Sequence, residues 1–126
     1  MLINAILLAA LLVCHYVADF CLTTPMMIRA KADGRNPWPI LLHATIHAAL
    51  MGGCLWGYGT GGSLLWILMV TELLSHFIID TLKARVSVWF PFLADPSRKP
   101  YWIIYGLDQL LHQLVVAAIW YAAVTS

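Results

Sequence analysis

Residues 71–83 read Thr-Glu-Leu-Leu-Ser-His-Phe-Ile-Ile-Asp-Thr-Leu-Lys. Glu72, His76 and Asp80 recur every four residues, and Lys83 follows three residues after Asp80. On an α-helix this spacing stacks side chains on one face, one turn above the next. The surrounding run from Ser63 to Leu82 holds no other ionisable group. About 20 mainly apolar residues are enough to cross a bilayer. The stretch therefore predicts a membrane helix with one polar stripe, and the stripe must face polar partners elsewhere in the fold.

The rest of the chain supplies them. His15 with Asp19, His43 with His47, and Asp108 with His112 repeat the four-residue spacing, each in a different hydrophobic segment. With His76 and Asp80 they use all five histidines of the protein and three of its six acids. Hydrophobic residues make up 62% of the 126-residue chain and charged ones 10%, with a mean hydropathy of +0.82. Soluble domains carry about 25% charged residues, so this composition predicts a single all-α membrane domain. The few basic residues form no stripe that would bind nucleic acid.

Four spans are predicted at residues 2–22, 40–58, 63–82 and 101–124. The first lacks the basic leader and small-residue cleavage site of a signal peptide, and reads as a retained helix. Residues 23–39 carry Pro25, Gly34, Pro37 and Pro39 with three basic residues; Met26, Met27 and Ile28 before Arg29 predict a short interfacial helix there. Trp38 and Tyr58 read as interface anchors of the second span. Gly57, Gly59, Gly61 and Gly62 make a tight uncharged turn, and residues 86–100 a second basic-flanked connection. Cys14, Cys21 and Cys54 have no metal-type spacing and read as small apolar fillers.

All seven Lys and Arg residues fall in the first and third connections. The positive-inside rule makes those connections cytoplasmic and both termini external, in an inner (plasma) membrane. Helix direction then places all four pairs in the cytoplasmic half. His15, His47, His76 and His112 form a deeper layer, and Asp19, His43, Asp80 and Asp108 a layer about 6 Å nearer the cytoplasm. His15-Tyr-Val-Ala-Asp19 and His76-Phe-Ile-Ile-Asp80 also read as a weak internal repeat, two tandem helix pairs related by an axis along the membrane normal.

A charge at the centre of a membrane helix costs about 2.5–3.5 kcal/mol on insertion scales. Eight such groups and Glu72 point to a purpose beyond packing. Imidazole and carboxylate suit a divalent transition metal such as Zn, Mn, Fe or Ni. The eight paired residues exceed the four ligands of one tetrahedral zinc, so two ions are expected. A dinuclear centre activates water for hydrolysis. Lys83 and Glu72 are the candidate catalytic residues, with Lys83, Arg85, Arg29 and Lys31 placed to hold an anionic headgroup and Gln109 and Gln113 to support ligands. Glu72 reads equally as a further ligand, a proton acceptor or a buried neutral carboxyl. Two other readings stay open: a divalent-metal or proton transporter, and an accessory membrane protein with a structural metal. Expected partners are membrane lipids and a lipid-linked substrate; oligomerisation is compatible with the pattern.

Taken in order, His15-x3-Asp19-Phe20, Lys31 in a basic connection, Leu41-Leu42-His43-x3-His47, Ser75-His76-Phe77-x2-Asp80-x2-Lys83 and Asp108-Gln109-x2-His112 resemble a family of short bacterial and phage integral membrane proteins of unknown function. The resemblance covers nearly the whole chain and implies a four-helix bundle, with no reaction attached. The first motif departs from it: Cys21-Leu22 stands where the family often has Leu-Gln, so no glutamine role is carried over. In style of motif alone the chain is similar to membrane-bound metal-dependent hydrolases, which implies hydrolysis.

Overall fold

The computed structural model describes all residues, Met1–Ser126. The chain is all helical. α1 spans Leu2–Tyr16 and runs on through a π-helical turn, Val17–Cys21; α2 is Pro25–Asp33, α3 Trp38–Tyr58, α4 Gly62–Trp89 and α5 Lys99–Thr125. A 3-10 turn, Pro91–Leu93, lies between the last two. α1 with its π turn, α3, α4 and α5 are each long and apolar enough to cross a membrane.

These four pack in a ring: α1 touches α3 and α5, and α4 touches the same two. The diagonals pair α1 with α4 and α3 with α5, the placement that a two-fold axis along the bundle requires. The short α2 lies against α3 and α4 at the end where the Lys and Arg residues gather. At the opposite end Asn4 ties three helices together: its amide oxygen accepts from the Tyr58 hydroxyl (2.9 Å) and its carbonyl from the Trp120 indole (2.7 Å). Tyr58 thus turns toward α1, where an interface anchor was expected.

The burial pattern is inverted relative to a soluble protein. Only 26 residues are buried, and nine of these are polar or charged; large apolar side chains such as Trp56, Trp66, Ile67, Leu82 and Leu114 point outward. Water would be a poor solvent for such a surface, and hydrocarbon a good one. The half of the bundle nearer the glycine turn is closed by an apolar core from all four spanning helices, including Leu7, Leu11, Met51, Leu55, Leu68, Val116 and Ile119. The Cys14 and Cys54 thiols meet at 3.2 Å on the α1–α3 seam, both part-buried, while Cys21 is exposed.

Helix ends follow local chemistry. Thr24 caps α2 by accepting from the Met27 N–H (3.4 Å), with Pro25 in the first turn. Gly59 ends α3 in the left-handed region (φ 108°). α4 runs seven residues past the predicted end at Leu82. No helix breaker precedes Pro91, and Lys83 and Arg85 limit the apolar span without limiting the helix. At 28 residues α4 is about 42 Å long, well over the roughly 30 Å hydrocarbon core.

α3 and α4 meet closely at Gly52, where an added Cβ would lie 2.6 Å from the Met69 sulfur. Gly52→Val is expected to force the helices apart at a cost of about 1–3 kcal/mol. Adding Met69→Ala should recover most of that loss in a denaturant or thermal melt. An unchanged melt in the single variant would contradict this packing.

Candidate metal centre

Each spanning helix contributes one histidine to a common floor. The ring centroids of His47 and His76 are 3.7 Å apart, those of His76 and His112 4.2 Å, His15 and His47 4.9 Å, and His15 and His112 5.4 Å. These are the four histidines that helix direction assigns to the deeper layer. His43 stands next to them toward the basic end, 4.6 Å from His47 and 5.1 Å from His76. On α1 the pair is spaced by a π turn, and such turns recur at functional sites. The Thr23 hydroxyl closes that turn by donating to the carbonyls of Ala18 (3.1 Å) and Asp19 (2.5 Å).

The acids ring this floor. Asp19 lies 3.0 Å from His43 Nε2, 3.3 Å from His15 Nε2 and 3.4 Å from His47 Nε2. Asp80 lies 3.5 Å from His76 Nε2, 3.8 Å from His43 Nε2 and 3.9 Å from His112 Nε2. Glu72 sits one turn deeper, 3.3 Å from His76 Nδ1 and 3.9 Å from His47 Nδ1. Its equivalent on α1, one turn before His15, is Leu11, so the deep end of the site departs from two-fold symmetry.

Three groups of potential ligands have their atoms within 4.8 Å of one another: His15, His47, Glu72 and His76; Asp19, His43, His47 and His76; and His76, Asp80 and His112. His76 belongs to all three. Asp108 is placed apart from these groups. Its carboxylate takes the Lys83 ammonium at 2.7 Å, with the nearest histidine nitrogen, His112 Nδ1, at 3.8 Å. Gln109 donates to Asp19 (3.1 Å), while Gln113, Arg29 and Arg85 are exposed.

The chemistry of these donors fits a cation. His112 Nδ1 lies 2.8 Å from the Asp108 backbone carbonyl. A carbonyl only accepts, so Nδ1 carries a proton, and in the neutral ring Nε2 keeps its lone pair. That lone pair is buried, has no hydrogen-bond partner, and faces Asp80. His76 stands between two carboxylates, its Nδ1 at Glu72 and its Nε2 3.5 Å from Asp80 without a hydrogen bond. Both nitrogens of His15 and of His47 also lack hydrogen-bond partners. Unpaired buried polar atoms cost about 1–3 kcal/mol each, and lone pairs converging on carboxylates repel them. A divalent ion relieves both penalties, and the bond to the Asp108 carbonyl already holds His112 in a ligating tautomer. The buried clusters are thus suited to hold a metal ion.

Two features lay beyond the sequence reading. Lys31, read there as a headgroup anchor, reaches from α2 into the cluster itself, 2.7 Å from Asp80 and 2.9 Å from His43 Nε2. A pocket of about 380 Å³ opens at the basic end beside the cluster, lined by Asp19, Lys31, Lys83, Tyr101, Tyr105, Asp108 and Gln109 among others. Its two tyrosines carried a signal in their spacing, since Tyr101, Tyr105 and Gln109 continue one face of α5. Lys83 stands 4.9 Å over the Tyr105 ring, a cation–π contact that restrains the ammonium.

Comparison with known proteins adds no reaction. No curated protein and no solved structure matches the chain. Residues 7–126 match the family described as "Protein of unknown function (DUF3307)", and over that length, nearly the whole bundle, the chain belongs to this family.

Proposed function

We propose that this chain is an integral membrane metal-dependent hydrolase acting on a lipid-linked phosphoester at the cytoplasmic side of the inner membrane. The observation that carries the reading is the pocket at the basic end, which joins the His/Asp cluster to Lys31 and Lys83. Beside it an apolar slot of about 160 Å³ between α4 and α5 is lined by Ile79, Leu82, Val86, Ile104, Leu107 and Leu111, and shares Lys83 and Asp108 with the pocket. A hydrocarbon chain in the slot brings its anionic head to the two ammonium groups without leaving the membrane. Divalent ions held by the cluster would supply Lewis acidity and a water acidified toward neutral pH. The protein's own groups do the rest. Lys83 leaves Asp108 for a phosphate oxygen, Asp108 is freed to take a proton, and Gln109 holds Asp19 in register. Glu72 lies too deep to reach the pocket and serves the imidazoles.

The apolar core between the cluster and the glycine turn counts against transport, because a transported ion needs a polar path to the other face. Access from one side suits an enzyme.

The test is phosphate release from phosphatidate and polyprenyl phosphates in detergent micelles, using protein reconstituted with Zn²⁺ or Mn²⁺. Lys83→Met is expected to lower kcat/KM by about 10–100-fold with metal content unchanged. No release from either lipid class by metal-loaded protein would overturn the reading.

A further inference from the structure

The two ends of the cluster differ in chemistry, and the outer end holds a cation that belongs to the chain, the Lys31 ammonium. The inner set, His15, His47, Glu72 and His76, is imidazole-rich and buried. Toward the basic end, Asp19, His43 and Asp80 surround the Lys31 ammonium at 3.7, 2.9 and 2.7 Å. α2 directs it there: Met27 and Ala30 are buried on the face that Lys31 extends, while Met26, Ile28 and Arg29 are exposed.

This arrangement is electrostatically favourable and chemically frustrated. His43 Nε2 lies 2.9 Å from the Lys31 nitrogen and 3.0 Å from Asp19 Oδ1. A neutral ring nitrogen either donates or accepts. As an acceptor from Lys31 it turns its lone pair on a carboxylate; as a donor to Asp19 it meets the ammonium hydrogens. A divalent ion in place of the ammonium would take that lone pair and both carboxylate charges together. Lys31 also lines the adjoining pocket and is part-exposed there, so the side chain has somewhere to go.

We infer that Asp19, His43 and Asp80 form an outer metal site for which Lys31 competes as a tethered cation, so that the second ion binds more weakly than the first and binds by displacing Lys31 into the pocket. The inference rests on the metal-binding reading above. It adds an order of loading: the inner site fills first, and an anion in the pocket that attracts Lys31 favours filling of the outer one.

Stepwise Co²⁺ binding, followed by visible absorbance and elemental analysis on the detergent-solubilised protein, tests it. Wild type should take up two ions in two steps. Lys31→Met should tighten the weaker step by about tenfold or more, leaving the tighter one within about twofold, and Lys83→Met should change neither. In wild type, labelling of amines by an acylating reagent should modify Lys31 faster once Co²⁺ saturates the protein; this needs no variant to fold. An unchanged or weaker second step in Lys31→Met, or Lys31 labelling that does not respond to Co²⁺, overturns the competition while leaving the metal site standing. No Co²⁺ uptake by either protein removes the metal reading itself.

Discussion

His76→Ala is expected to strip the protein of its tightly bound transition metal, weakening binding at the inner site by more than about 100-fold. Losing an outer partner of a ligand typically costs 10–100-fold. His76 is more than that, since it is common to all three groups of potential ligands and touches Glu72, Asp80, His47 and His112. No single replacement removes more of the site. Asp108→Ala makes the contrast. Its carboxylate is engaged with Lys83 and stands outside the ligand groups, so at least half of the metal should remain while phosphoester turnover falls. Titration of both variants with Zn²⁺ separates the two roles. Equal loss in both would place Asp108 among the ligands, as its spacing from His112 first implied.

The second large effect is on stability. The metal-free bundle buries five histidines and four acids among its nine buried or nearly buried ionisable groups, with Lys31 and Lys83 as the only ammonium partners at the cluster. Several of their atoms have no hydrogen bond. A ligand that binds only the folded state adds about 4 kcal/mol of stability at a free concentration 1,000 times its dissociation constant. Adding Zn²⁺ or Mn²⁺ to chelator-treated protein should therefore raise the unfolding midpoint steeply. The shift should follow ion concentration and, in His76→Ala, disappear at the concentrations that fill the tighter site. A melt indifferent to metal would mean that the network satisfies itself.

Much of this site is legible in the sequence because helices translate spacing into direction. Four residues bring His76 and Asp80 to one face, and the reversal from His-x3-Asp to Asp-x3-His on α5 keeps each residue at its depth when the chain turns round. Apolar surroundings say that those faces meet each other, since lipid offers them nothing. Four features escape this logic. The π turn at Val17–Cys21 changes the local pitch without any Gly or Pro to announce it. The end of α4 at Trp89 was hidden because charge marks where the membrane stops, and helix continues into the interface. The reach of Lys31 depends on how α2 docks against α3 and α4, a tertiary event; in sequence Lys31 resembles its neighbours Arg29 and Arg35. The pairing of Asp108 with Lys83 likewise depends on how α5 docks against α4.

The most direct measurement is metal content per chain by elemental mass spectrometry on protein purified in detergent and supplemented with Zn²⁺ or Mn²⁺. The geometry of the His/Asp/Glu cluster predicts up to two ions per chain, the second filling only at higher ion concentration, and no tightly held ion in His76→Ala. A wild-type protein that holds no transition metal after supplementation would contradict the account, leaving a network of hydrogen-bonded imidazoles and carboxylates that serves the bundle alone.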